Sequence, residues 1–178
     1  MPEPAPPRIA LRRAGPGDLA LLRRWDEAPQ VVAADPDGDW TWEVELARDP
    51  DWREQLVAEV DGRPVGFVQI IDPAREKSRY WGEVAPDLRA IDLWIGEADA
   101  LGRGYGSAIM RQAIERCFAS PRVSAILVDP LADNVRAQRF YARFGFVPAG
   151  PRRLGGDDCL VYRLTREAWD ARGRRPLR

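Results

Sequence analysis

A mixed α/β domain is predicted for this chain on three observations. Its 178 residues suit one hydrophobic core of ordinary size. Apolar residues recur with period two in some segments and near 3.6 in others, and the two patterns alternate along the chain. No repeat and no linker-like stretch interrupts residues 8–170. These are therefore expected to form a single domain, with 1–7 as a disordered proline-rich lead-in and 171–178 as a basic tail.

The elements follow in order. Arg8-Ile9-Ala10-Leu11-Arg12 alternates and reads as a strand. Gly15-Pro16-Gly17-Asp18 is a turn, with Asp18 as N-cap of a helix through Trp25. Residues 28–40 carry Pro29, Pro36 and Gly38 and read as loop with room for a short helix, and Trp40 to Arg48 suits another. Residues 55–60, the turn Asp61-Gly62-Arg63-Pro64, and residues 65–71 read as a hairpin. Residues 72–86, with Pro73, Gly82 and Pro86, are an excursion before the next strand. In that strand, 89–95, Ile91, Leu93 and Ile95 face one way and Ala90, Asp92 and Trp94 the other.

A glycine-rich turn follows, Leu101-Gly102-Arg103-Gly104-Tyr105-Gly106-Ser107, and then a helix from Ser107 to Phe118. Ile109, Met110, Ala113, Ile114, Cys117 and Phe118 make one apolar stripe along it, suited to packing on a sheet. Val123 to Val128 is a buried-type strand ending at Asp129-Pro130. Asp133 or Asn134 caps a helix that runs to Phe144 and stops at Gly145. Residues 146–151 and 159–164 suit two final strands.

Composition narrows the chemistry. The chain has no histidine, which removes the commonest general base and the commonest metal ligand. Catalysis must then rest on carboxylates, tyrosine, cysteine or backbone, and no metal site is expected. Two cysteines, Cys117 and Cys159, give no disulfide framework and fit a reducing cytoplasm. No apolar run approaches the roughly 18 residues that span a bilayer, so no membrane role is expected. The net charge of −1 hides an asymmetry. Residues 1–100 hold 12 basic against 21 acidic residues, whereas 101–178 hold 15 against 7. The acidic front suits a cationic ligand and the basic rear a phosphorylated one rather than nucleic acid.

Glycines at a strand-to-helix junction bare backbone N–H groups at a helix N-terminus, which is a phosphate-holding geometry. Such a turn also opens dinucleotide-binding units, and Asp129, 25 residues beyond Gly104, stands near where a ribose-binding acid would lie. The G-x-G-x-x-G pattern fails, however. Counted from Gly104 its sixth position is Ile109, and counted from Gly102 it is Ser107. A P-loop fails too, since no Gly-Lys-Ser/Thr follows.

The turn as x-x-x-G-x-G at 101–106, then Asp133-Asn134, Ala137, Gln138, Phe140, Tyr141 and Phe144-Gly145-Phe146, resembles the GNAT (GCN5-related) N-acetyltransferases. Leu101 stands where that family usually has Gln or Arg. The resemblance implies a strongly twisted mixed sheet with helices on both faces, splayed between strands 89–95 and 123–128. It implies acetyl-CoA as cofactor, with pyrophosphate on the N–H groups of Arg103, Gly104, Tyr105, Gly106 and Ser107, and Gly102 beside them in the cofactor-binding turn. Asn134 and the backbone of Leu93, Trp94 and Ile95 would hold the arm and the thioester. Asn134 and Tyr141 lie seven residues apart, on one helix face and about 10.5 Å apart along the axis.

Within the family, Ile91-Asp92, Leu101-Gly102-Arg103-Gly104, Asp129-Pro130 and Asn134 look most like the aminoglycoside 6′-N-acetyltransferases. That resemblance assigns Asp92 as base, Tyr141 as acid, and Asp129 as an acid near the acceptor. A carboxylate titrates near 4 and is mismatched to an ammonium, so burial beside Trp94 or a water relay is needed. A phenol near 10 is better matched to a thiol leaving group. A cationic amine acceptor wants acids and aromatic faces. Trp40, Trp81, Glu83 and Asp87 join Asp129 as first candidates, with Asp35, Asp37, Asp39, Trp42, Tyr80, Asp157 and Asp158 behind them. Other acceptors stay open, namely siderophore or lysine-type amines, polyamines and protein N-termini. So do a non-catalytic acyl-CoA-binding module and a monomer or homodimer.

Overall fold

The computed structural model describes residues 6–36, 38 and 40–173. Asp37, Asp39, most of the expected lead-in and 174–178 of the expected tail lie outside those residues. Seven strands form one sheet in the order β1-β2-β3-β4-β5-β7-β6. They are β1 (Ile9–Arg13), β2 (Arg53–Val60), β3 (Arg63–Ile71), β4 (Leu88–Ile95), β5 (Ala125–Val128), β6 (Val147–Leu154) and β7 (Asp157–Thr165). The helices are α1 (Leu19–Asp26), α2 (Pro29–Val32), α3 (Trp42–Ala47), α4 (Tyr105–Phe118), α5 (Val135–Arg143) and α6 (Arg166–Gly173). The sheet is mixed, as expected: β1 pairs antiparallel with β2, and β4 pairs parallel with β5. None of the described helices is long and apolar enough to cross a membrane.

The described residues form two compact units. The first comprises those up to Asp49 with Glu54–Gln69 and Leu93–Gln112. Its core gathers Leu22, Trp25, Trp42, Val57 and Phe67, with Trp40 and Trp94 packed against them. The β2–β3 turn has Asp61 at φ 51° and Gly62 at φ 81°, the left-handed pair that matches strand twist in a tight hairpin. Asp18 precedes α1 but makes no side-chain cap. Its carboxylate instead takes Arg12 Nη1 and Nη2 at 2.9 and 2.7 Å. A bidentate guanidinium fork is the stronger partner, and it locks β1 to the start of α1.

The second unit comprises Pro50–Arg53, Ile70–Asp92 and the described residues from Ala113 on. Its core holds Ile71, Trp81, Leu88, Ala90, Ala125, Leu127, Leu154, Cys159 and Val161. Parallel pairing runs from Leu88↔Ala125 to Ala90↔Leu127. Then β5 ends at Val128, while β4 continues to Ile95. The tail needs correcting, because α6 reaches Gly173. Its first residue, Arg166, caps the end of α4 by donating to the carbonyls of Phe118 and Ser120 at 3.0 and 2.5 Å. Near its end, Arg172 donates to the carbonyl of Arg143 at 2.5 Å.

Candidate active site

In the first unit, Gly102 and Gly104 sit at φ 71° and 80°. A side chain there would meet nothing within 4 Å, so backbone conformation alone demands glycine. The two left-handed residues turn the chain sharply into α4, which begins at Tyr105, two residues earlier than expected. The Gly104 carbonyl accepts from the N–H groups of Ser107 and Ala108 at 3.1 and 3.2 Å. Gly104 therefore acts as N-cap, and the N–H groups of Tyr105 and Gly106 precede the hydrogen-bond ladder. Gly102, Arg103 and Gly104 are exposed, and Tyr105, Gly106 and Ser107 half-buried. A 14-residue helix with an unobstructed, glycine-lined N-terminus fits an anionic phosphate.

Trp40 stacks on Trp42 at 5.0 Å, and Trp94 stacks on Phe67 at 4.7 Å. The Trp94 indole nitrogen is buried without a hydrogen-bond partner among the described residues. Trp42 donates from its own indole to Asp26, a carboxylate that sequence reasoning did not single out. Burial pushes the Asp26 pKa up, and Asp35 and Glu27 add like-charge repulsion.

The second unit brings together Asp92, Asp129, Tyr80 and Tyr141. Asp92 is half-buried on β4, and Asp129 is half-buried just after β5. Tyr141 is half-buried on α5, edge-on to Phe140 and Phe146 at 5.4 and 5.8 Å between ring centroids. Burial raises its pKa above the ordinary phenol value, and the charges of Asp129 and Asp92 raise it further. Tyr80 is raised in the same way, by burial first, then by Asp129 through charge and a hydrogen bond, with Asp92 contributing. Both phenols therefore keep their protons well into alkaline solution. Asn134 caps α5, its side-chain oxygen accepting from the Ala137 N–H at 3.0 Å. The amide nitrogen is the part of Asn134 that could serve a ligand. Gln138 Nε2 donates to the carbonyls of Leu131 and Ala132 at 3.2 and 2.9 Å, which steadies the loop that carries Asp129.

Four other candidates of this unit have different settings. Trp81 is 2% exposed, and its ring is a core element rather than a binding face. Glu83 is solvated, its side chain 92% exposed and 3.4 Å from Arg79. Asp87 sits just before β4, where its carbonyl accepts from the Ser124 N–H at 2.8 Å. Hydrogen bonding to the Ser124 side chain lowers its pKa. Five residues of extended strand, about 16 Å, separate it from Asp92. Asp158 is exposed, 3.5 Å from Arg153. Sequence patterning placed Tyr80 only in the second rank, because residues 72–86 have no periodicity from which facing could be read.

The family model for an acetyltransferase (GNAT) domain matches residues 16–154. The chain belongs to the GNAT acetyltransferase family. It is 30% identical over 178 residues to an aminoglycoside N(6′)-acetyltransferase type 1 from Serratia marcescens, covering 91% of this chain and 85% of that one. An aminoglycoside acetyltransferase solved in complex with coenzyme A superposes with a TM-score of 0.81 at 27% identity, over 92% of this chain and 98% of that one. The structure of that enzyme with coenzyme A and kanamycin gives a TM-score of 0.81 at 26% identity, with the same coverage. This GNAT chain thus has a mixed seven-stranded sheet like that of solved acetyltransferases and is an N-acetyltransferase.

Proposed function

We propose that residues 8–173 serve as one catalytic domain that transfers acetyl from acetyl-CoA to a primary amine of an aminoglycoside-like polycation, in the cytoplasm. The observation that carries the reading is the cluster of Asp92 and Asp129 around two protonated phenols, Tyr80 and Tyr141. Two carboxylates in one neighbourhood suit a multiply charged amine. The relatives named for aminoglycoside acetylation and the kanamycin complex support that class of acceptor.

Acetyl-CoA supplies the activated thioester. Backbone N–H groups at Tyr105 and Gly106, at the positive end of α4, bind its pyrophosphate. The N–H groups of Leu93–Ile95 orient and polarise the thioester carbonyl. Asp92 takes the proton from the acceptor ammonium, directly or through one water, and so frees the lone pair that attacks. Tyr141 gives its proton to the departing sulfur; its raised pKa keeps it protonated at neutral pH but makes it a weaker acid than a free phenol, so its match to a thiol is poorer than the reference value alone suggests. Asp129 holds a second positive group of the acceptor. The amide of Asn134 steadies the pantetheine arm.

Calorimetry with coenzyme A, followed by thiol release from acetyl-CoA with kanamycin, spermidine and lysine derivatives, tests this reading. Tight coenzyme binding and turnover with kanamycin are expected. Turnover with spermidine or lysine alone would move the acceptor to another amine class. Coenzyme binding without any turnover would leave a binding module and overturn the proposal.

A further inference from the structure

Tyr80 is held by more contacts than an exposed loop tyrosine needs. It lies in the excursion between β3 and β4 and is 40% exposed. Its N–H donates to a Glu76 carboxylate oxygen at 2.9 Å, and the other Glu76 oxygen takes the N–H of Ser78 at 2.6 Å. The next residue, Trp81, is anchored in the core, and its carbonyl accepts from Arg152 Nη2 at 2.8 Å. The Tyr80 ring stands edge-on to Trp81 at 5.7 Å. Its other neighbour is Gly155, where even a Cβ would come within 3.0 Å of the ring. From that seat the hydroxyl donates to Asp129 Oδ2 at 2.7 Å, across 49 residues of sequence.

We propose that Tyr80 is a positioning residue for acceptor recognition, its hydroxyl fixing the orientation of the Asp129 carboxylate. The inference rests on the acceptor reading given above and deepens it. A carboxylate after a strand end has two soft torsions, and an acceptor ammonium would have to order them on binding. A donor set in a built seat orders the carboxylate beforehand and favours its charged form. Tyr80 touches neither the thioester nor the proton that leaves the amine, so its effect falls on acceptor affinity and not on the chemical step.

The test is Tyr80→Phe, which keeps the ring against Trp81 and Gly155 and removes one oxygen. Its KM for kanamycin should rise roughly 10-fold, the scale of one hydrogen bond to a charged group, while kcat stays within about twofold. Calorimetric acetyl-CoA affinity should not move. In an Asp129→Asn background the Tyr80→Phe effect should largely vanish, because Tyr80 acts through Asp129. The Asp129 carboxyl carbon, followed by carbon-13 NMR, should titrate at higher pH in Tyr80→Phe than in the wild type. An unchanged KM, or a fall in KM showing that Tyr80 competes with the acceptor for Asp129, overturns the proposal. Failure of wild-type turnover with kanamycin sinks the acceptor reading instead. The NMR titration then decides the Tyr80 role: an unmoved Asp129 midpoint overturns it and an upward shift supports it.

Discussion

The glycine turn before α4 and the carboxylate–phenol cluster solve opposite electrostatic problems with different materials. The turn offers positive character without a charged side chain: two left-handed glycines strip the approach to a helix N-terminus, and backbone N–H groups do the rest. The cluster offers negative charge through side chains, from Asp92 and Asp129, with Tyr80 and Tyr141 held protonated beside them. A backbone device tolerates much sequence change, whereas a side-chain device fails with one atom. Leu101, in place of the family's usual Gln or Arg, is compatible with the first kind of site.

That contrast predicts which measurement each substitution disturbs. The largest effect should come from Asp92→Asn, which removes the proposed base. Turnover should fall by about 10²- to 10⁴-fold with acetyl-CoA affinity intact, and an unchanged kcat would remove Asp92 from the chemistry. Tyr141→Phe should cost about 10²-fold, the lower end for a general acid. Because its pKa is raised, Tyr141 stays protonated above the pH at which an ordinary tyrosine ionises. The wild-type kcat profile should therefore lack a Tyr141 inflection below about pH 10. An inflection there that disappears in Tyr141→Phe would contradict the assignment.

Gly104→Ala should act on the other device. It forces a side chain to φ 80° at a cost of about 1–2 kcal/mol. Acetyl-CoA binding should weaken roughly 5- to 30-fold, while the KM for the amine stays put. Equal damage to both substrates would dissolve the distinction between the two regions.

The smallest effect on catalysis should come from Asp18→Asn, which breaks the Arg12 fork. Its side chain is 11% exposed, but Arg12 is 39% exposed, so solvent screening holds the loss to about 1–2 kcal/mol of stability, with kcat unchanged. Arg12 lowers the Asp18 pKa below 3.8. The contribution is therefore complete above that value and is lost as pH falls through the lower folded pKa. Thermal melts of wild type and variant should differ at neutral pH and converge in acid.

The same contrast explains how much was legible beforehand. The α4 stripe, Ile109 to Phe118, is buried throughout, because a 3.6-residue period survives in sequence. Asn134 as a helix cap was equally readable from its place before an amphipathic run. Trp81 and Tyr80 could not be sorted, because an irregular segment gives no rule for which neighbour faces inward. Helix α6 escaped notice for another reason. Arg166 and Arg172 tie it to distant carbonyls, and in sequence such residues look like a solvated tail.

The most direct test of the central claim is a thiol-release assay with acetyl-CoA and kanamycin, with NMR of the product to locate the acetyl group. The account predicts stoichiometric release and a single acetamide on the 6′ nitrogen. No release with kanamycin from protein that binds coenzyme A would contradict it.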